Sequence, residues 1–331
     1  MAGRVPDQSS KLPIGQPSPF PIGDTKVEPG TRARLELFVA RLPTQTPLNL
    51  PVEIVNGSKP GPALWLSAAI HGDELNGVEI IHRVLECVEP TSLEGVLVAV
   101  PVVNVFGFIH QERYLPDRRD LNRHFPGSSR GSLASQLAHL FMTEIVERCT
   151  HGIDLHTGSL DRINLPQVRC DLENPTTRRC AEAFGAPIMI HGEAPKKSLR
   201  QAAAKLGKCV LVYEAGEPQR FNAEAVDIGV EGVLRVMAQL GMLSRPQRQR
   251  TSMQASRRTW VRAPRSGILR LRVGLGDWVE KNQTLGTLRD IFGEDATRIR
   301  SPAAGLVIGH AGNPLVNRGD AVVHLARNVV G

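Results

Sequence analysis

Aromatic residues are scarce, with only two Tyr, three Trp and nine Phe in 331 residues. The chain also lacks a recognition helix or stacking motif, so a net charge of +7 does not make it a nucleic-acid binder. No apolar run reaches the ~18 residues of a membrane span, and no membrane partner is expected. Met1-Ala2-Gly3-Arg4-Val5-Pro6 has none of the apolar core of a secretory signal. The five cysteines are odd in number and none stand at C-x-x-C spacing. Reduced, mostly buried thiols are expected, not disulfides or a cysteine metal site, and the expected location is the cytoplasm. The excess of positive charge points instead to a small anionic substrate. The sequence leaves the oligomeric state open, a homo-oligomer included.

What is present is a globular composition, 41% hydrophobic and 22% charged. The length exceeds what one core usually serves, so two domains are expected. Residues 1–30 are rich in Pro, Ser and Gly and read as an extended or disordered arm. Residues 31–245 alternate apolar strands (34–39, 50–55, 63–70, 96–103, 187–190, 209–213) with amphipathic helices (after Glu74, 132–146, 223–240). That alternation predicts an α/β fold, a mixed and mostly parallel sheet with helices on both faces. Residues 246–259 read as a basic linker. From Trp260 to the end, short strands and Gly/Asp turns predict a small all-β barrel or sandwich. Gly276-Asp277-Trp278-Val279 and Gly319-Asp320-Ala321-Val322 look like an internal repeat.

The chemistry gathers at strand ends. The strand 63–70 runs into His71, and Glu74 follows at the start of a helix, an i, i+3 spacing that lets both side chains point at one place. Ile153-Asp154-Leu155-His156 ends a second strand in an imidazole. His71, Glu74 and His156 together are a candidate two-histidine, one-carboxylate zinc set with an open position for water. Glu214 ends a third strand and is either the general base beside such a water or a turn carboxylate. The long polar loop 113–127 is a candidate functional loop. In it, Arg113 is a candidate oxyanion partner with Arg118 and Arg119 as rivals. Asp120 is a candidate to orient a metal-bound imidazole, and Asn122 with Arg123 a candidate grip for an anion. Arg162, Arg169 and Arg200 could line a specificity pocket or lie on the surface.

As a set, His71-Gly72-Asp73-Glu74, Arg113, Asp120-Leu121-Asn122-Arg123 with Phe125-Pro126-Gly127, Asp154-Leu155-His156 and Glu214-Ala215-Gly216 resemble the succinylglutamate desuccinylase/aspartoacylase family, relatives of the zinc carboxypeptidases. The resemblance covers about residues 30–331. It implies a zinc-carboxypeptidase-like catalytic domain, one zinc ion per chain on His71, Glu74 and His156, and hydrolysis of an N-acyl amino acid or similar amine. Glu214 would then activate water, Arg113 stabilise the oxyanion, and Asn122 with Arg123 hold the substrate carboxylate. The specificity residues of aspartoacylase are not recognisable, so the reaction class is implied and the substrate is not. A metallocarboxypeptidase for short peptides and a non-catalytic relict pocket are the rival readings. The C-terminal segment resembles biotinyl/lipoyl barrels, but the hairpin region Arg289–Ala296 has no carrier lysine, so a part shaping the mouth of the site is expected.

Overall fold

The computed structural model describes residues 16–246 and 250–331. The chain begins β1 (Phe20–Ile22), β2 (Thr25–Val27), β3 (Thr31–Arg41), β4 (Pro47–Asn56), β5 (Lys59–Ala68), α1 (Asn76–Glu86), β6 (Glu94–Val100), α2 (Val105–His110) and α3 (Leu133–Phe141). It continues with β7 (His151–His156), β8 (Arg162–Cys170), α4 (Pro175–Phe184), β9 (Ile188–His191), α5 (Leu199–Lys205), β10 (Cys209–Gly216) and α6 (Ala223–Gln239). The C-terminal part is all β: β11 (Met253–Arg262), β12 (Gly267–Leu271), β13 (Trp278–Val279), β14 (Thr284–Arg289), β15 (Thr297–Arg300), β16 (Gly305–Ala311), β17 (Leu315–Val316) and β18 (Ala321–Val330). Among the described residues no helix is long and apolar enough to cross a membrane.

The α/β fold is present, with helices on both faces of one sheet. Val78, Ile81, Val84 and Leu85 of α1 pack with α4 and α6 in one core. Leu137, Ala138 and Phe141 of α3 pack on the other face against Leu50, Trp65 and Val98. The helix expected over 132–146 is α3, capped by Ser132 and closed by a π-helical turn at Met142–Val146.

The sheet corrects three expectations. It has twelve strands in the order β13-β16-β18-β11-β9-β8-β10-β7-β5-β6-β4-β3. Five of those eleven neighbour pairings are parallel, so the sheet is mixed but not mostly parallel. Antiparallel pairing at both flanks and of β8 with β10 in the middle causes this, and apolar runs in sequence do not reveal strand direction. Second, residues 253–259 are not linker. They form most of β11, parallel to β9 and antiparallel to β18, and their arginines hide the strand alternation. Residues 247–249 of that expected linker, like 1–15 of the expected arm, lie outside the described residues. Third, residues 20–27 fold as a hairpin that buries Phe20, Ile22 and Val27. Asn56 Nδ2 ties it down by donating to the carbonyls of Ser18 and Val27 at 3.0 and 2.8 Å.

The C-terminal strands join the sheet instead of forming a detached unit. β16 pairs with both β18 and β8, so β8, β9, β11, β18 and β16 close into a five-stranded barrel. Ile188, Ile190, Ala255, Leu306, Ile308 and Ala326 pack together across it. A four-stranded sheet, β15-β14-β12-β17, packs on a neighbouring core. The repeat phrases occupy equivalent turns. Asp277 Oδ2 accepts from Gly274 N at 2.8 Å, and Asp320 Oδ2 accepts from Asn317 N at 2.7 Å.

Three adjacent parallel strands, β5, β7 and β10, position the candidate residues. Their register sets Ala68 beside Leu155 and His156 beside Glu214. Trp65 of β5 is fully buried and lies over Gly152 of β7, where a Cβ would overlap the indole. We expect Gly152→Ala to lower unfolding free energy by about 1–3 kcal/mol, the usual range for overpacking, as measured by urea denaturation.

Candidate metal centre and its cavity

The chain leaves β5 through Ala69, a buried residue held at φ +48°. A side chain in that left-handed region costs free energy and is held only by its surroundings. Here Asn104 N donates to the Ala69 carbonyl and Val103 N to that of Ala68. Gly72 then packs so closely on the Gly107 backbone that a Cβ would not fit. This turn delivers His71 and Glu74 to the end of β7, where His156 waits.

His71, Glu74 and His156 converge, with one ligand atom from each lying within 4.8 Å of the others, and all three are buried. His71 Nδ1 is 2.7 Å from Glu74 Oε1 and His156 Nδ1 is 2.8 Å from Glu74 Oε2. Each outer ring nitrogen meets a further carboxylate: His71 Nε2 meets Asp120 at 3.1 Å and His156 Nε2 meets Asp154 at 2.8 Å. Asp154 is itself fixed by the Ser67 hydroxyl at 2.8 Å, and Thr157 N donates to Glu74. Asp120 reaches the site because it also accepts from Asn122 N, a contact that caps the short 3-10 turn Leu121–Arg123. The buried Leu115, Leu121 and Phe125 anchor the loop on both sides of it.

The electrostatics fit a cation. Burial opposes ionisation of Glu74, yet His71 and His156 hold its pKa far below the usual carboxylate range. Burial likewise opposes charge on the imidazoles, but Glu74 and Asp120 raise His71, and Asp154 with Glu74 raise His156 well above its ordinary value. Without a metal, protons therefore supply the positive charge that three clustered carboxylates demand. Two imidazole Nδ1 atoms and a carboxylate aimed at one point, each outer nitrogen locked by an aspartate, are a donor set that suits zinc.

A cavity of about 510 Å³ opens beside this cluster. Its lining includes His71, Glu74, Arg113, Asn122, Arg123, His156 and Glu214, so seven of the eight expected site residues share one wall system. The eighth, Asp120, sits behind His71. Glu214 is held at both oxygens, by Asn164 Nδ2 at 2.7 Å and Arg169 Nη1 at 2.6 Å. A carboxylate has about four acceptor positions, so two stay open. Arg113 donates to Glu74 and Asp120, both at 3.1 Å, while Arg118 and Arg119 are exposed and do not line the cavity. Asn122 Oδ1 accepts from Leu199 N at 2.8 Å, which fixes the loop to α5.

The residues that sequence reasoning passed over are the supporting ones. Asp154 lies in the quoted motif without a role of its own, although its i, i+2 spacing puts it on the same face of β7 as His156. Arg162, Arg169 and Arg200 line the cavity, so the surface alternative is overturned for each. The C-terminal strands add Arg258, Trp260 and His324 to the lining, Arg258 from the stretch that reads in sequence as a linker.

The arrangement defines the class, a mixed α/β protein with a candidate single-metal centre at strand C-termini. A sequence model of the succinylglutamate desuccinylase/aspartoacylase catalytic domain matches residues 60–240, more than half of the chain, and the chain belongs to that family. It is 27% identical over 297 residues to an N-alpha-acetyl-L-2,4-diaminobutyric acid deacetylase of Halomonas elongata, covering 85% of this chain and 86% of that protein. A succinylglutamate desuccinylase/aspartoacylase structure from Rhodobacter sphaeroides is similar at TM-score 0.80 and 27% identity, covering 89% and 95% of the two chains. The product-bound ectoine utilization protein EutE (DoeB) of Ruegeria pomeroyi shares the fold at TM-score 0.82 and 22% identity, with 91% and 95% covered.

Two outcomes follow for metal binding. Asp154→Asn should weaken zinc affinity by about 10–100-fold, as lost outer partners of zinc ligands do, read by competition with a chromophoric chelator. A zinc ion held here would have to displace the protons that raised pKa values favour on His71 and His156, so its affinity should fall as pH falls. The slope should approach about a hundredfold per pH unit where both imidazoles are protonated, and a pH-independent affinity would contradict it.

Proposed function

We propose that the protein is a zinc-dependent amidohydrolase that removes the acyl group from an N-acyl amino acid or a related small acylated amine. The observation that carries this reading is the convergence of His71, Glu74 and His156, each imidazole backed by its own aspartate, beside a cavity that also holds Glu214. Family membership and the deacetylase relative support the same class of reaction. Zinc held by the three residues would supply Lewis-acid polarisation of the amide carbonyl and a water whose pKa is lowered towards about 7.

The chain's own groups do the rest. Glu214 takes a proton from the attacking water through an open lone pair and delivers it to the leaving nitrogen, so that water adds to the carbonyl carbon as the C–N bond breaks. Asn164 and Arg169 keep its carboxylate from rotating away. Arg113 contributes positive charge beside Glu74, where negative charge grows on the carbonyl oxygen. Arg123 faces the cavity as an anion partner, and Asn122 holds its loop in place. Six arginines line the cavity against four carboxylates, which favours an anionic substrate. The wall formed by Arg258, Trp260 and His324 favours a small substrate over a long peptide.

Glu214→Gln should lower kcat by about 10²–10⁴-fold, the range for loss of a general base, with zinc content by atomic emission unchanged. Near-normal turnover of N-acyl amino acids by this variant would remove Glu214 from the mechanism.

A further inference from the structure

At the other end of the strands that carry His156 and Glu214, a second group of metal-capable side chains converges. β7 starts at His151 and β10 at Cys209, and their parallel register sets these two residues side by side. Cys180 reaches them from the buried face of α4, which also carries Thr177, Ala181 and Phe184. One donor atom from each of His151, Cys180 and Cys209 lies within 4.8 Å of the others. Cys180 is buried, while His151 and Cys209 are half-buried, so the group can be reached from solvent. No C-x-x-C spacing announces it in the sequence, because its donors come from two strands and a helix.

Thr150 fixes the imidazole. Its single hydroxyl proton goes to the Ala63 carbonyl at 3.0 Å, so the 2.8 Å contact with His151 Nδ1 is a hydrogen bond donated by the ring. That leaves the Nε2 lone pair free, the arrangement usual for a histidine ligand. Burial lowers the His151 pKa, so the ring is neutral near pH 7. The thiols act on each other. A hydrogen bond from Cys180 lowers the Cys209 pKa against its burial, with help from Thr177, and the same bond together with burial raises that of Cys180. Two thiolates, a neutral imidazole and a divalent cation sum to no net charge, which a largely buried place tolerates. Thiolate sulfur selects zinc and similar soft ions over magnesium or calcium. Three protein donors leave a fourth tetrahedral position for water.

We infer that His151, Cys180 and Cys209 form a second, thiolate-type site for zinc or a similar soft divalent ion, at the end of the sheet opposite His71, Glu74 and His156. Binding makes two metal–sulfur bonds and one metal–nitrogen bond, and the two thiol protons leave to solvent. The ion joins α4 to β7 and β10, so it acts on stability and not on the acylated substrate. The site does not depend on the hydrolase reading above.

The test uses the reduced, full-length protein, stripped of metal and titrated anaerobically with cobalt(II) alone. Cobalt bound to thiolate absorbs in the near ultraviolet by sulfur-to-metal charge transfer, and the His71, Glu74 and His156 centre has no sulfur to give that band. The wild type should take up about two equivalents and show the band with one of them. Cys180→Ser and Cys209→Ser should each lose the band and take up about one equivalent. Cys87→Ser, changed at an exposed thiol, should keep the band. Zinc should bleach the band by displacing cobalt, as its higher place in the affinity order requires. A wild type that saturates with cobalt without the band would overturn the site, and so would a band undiminished in both Cys180→Ser and Cys209→Ser. The wild-type spectrum decides the matter even where a serine variant fails to fold.

Discussion

The structure depends on one electrostatic constraint: Glu74, buried and ionised, sits between two imidazoles. A buried carboxylate is tolerable only when paired, because desolvation of an isolated charge is worth many kcal/mol. Here the pairing runs outward in two arms, through His71 to Asp120 and through His156 to Asp154. Each arm ends in a different element, a loop on one side and the interior of β7 on the other. The position of the loop 113–127 and the register of β5 against β7 are thus both tied to the charge balance of one glutamate. Arg113, bridging Glu74 and Asp120, closes the network on the cavity side.

A second constraint joins the two parts of the chain. Ending the catalytic part at β9 would leave an open strand edge, which proteins cover or pair. β11 pairs with that edge, and β16 returns to β8 to close the ring. The consequence is chemical as well as mechanical. β8 carries Asn164 and Arg169, which hold Glu214, while β11 and β18 carry Arg258, Trp260 and His324. The general-base candidate and the facing wall of the cavity are therefore built on strands of the same small barrel. Asn76 links the opposite side of the site by donating to the Ala215 carbonyl and accepting from Asn222 N. Gly216, at φ +70°, turns around it because a Cβ there would strike the Asn76 amide.

Much of this was legible in the residues. Apolar runs ending in His71, His156 and Glu214 marked strand ends, since only a strand buried on both faces tolerates such runs. The i, i+3 spacing of His71 and Glu74 placed a nitrogen and an oxygen together. Glycine and aspartate at repeated positions marked the turns before Val279 and Val322. Arg258 was not legible, because an arginine in a basic stretch reads as solvated until the strand carrying it is known to face a cavity. Asp154 was opaque for a related reason, since alternation along a strand predicts a face but not a bend onto a neighbour's ring.

The sequence by itself determined the strands that end at His71, His156 and Glu214, the amphipathic helices, a metal-capable residue set and the family resemblance, because each rests on local periodicity or on spacing along the chain. Only the tertiary structure decided which strands lie parallel, that the C-terminal segment closes a barrel with β8 and β9, and which arginines face inward. Those outcomes depend on pairings between residues well separated along the chain, from Gln167 with Ile188 to Asn164 with Gly309. Register across such distances is set by which apolar faces and hydrogen-bonding edges can be buried together, a property of the folded chain as a whole.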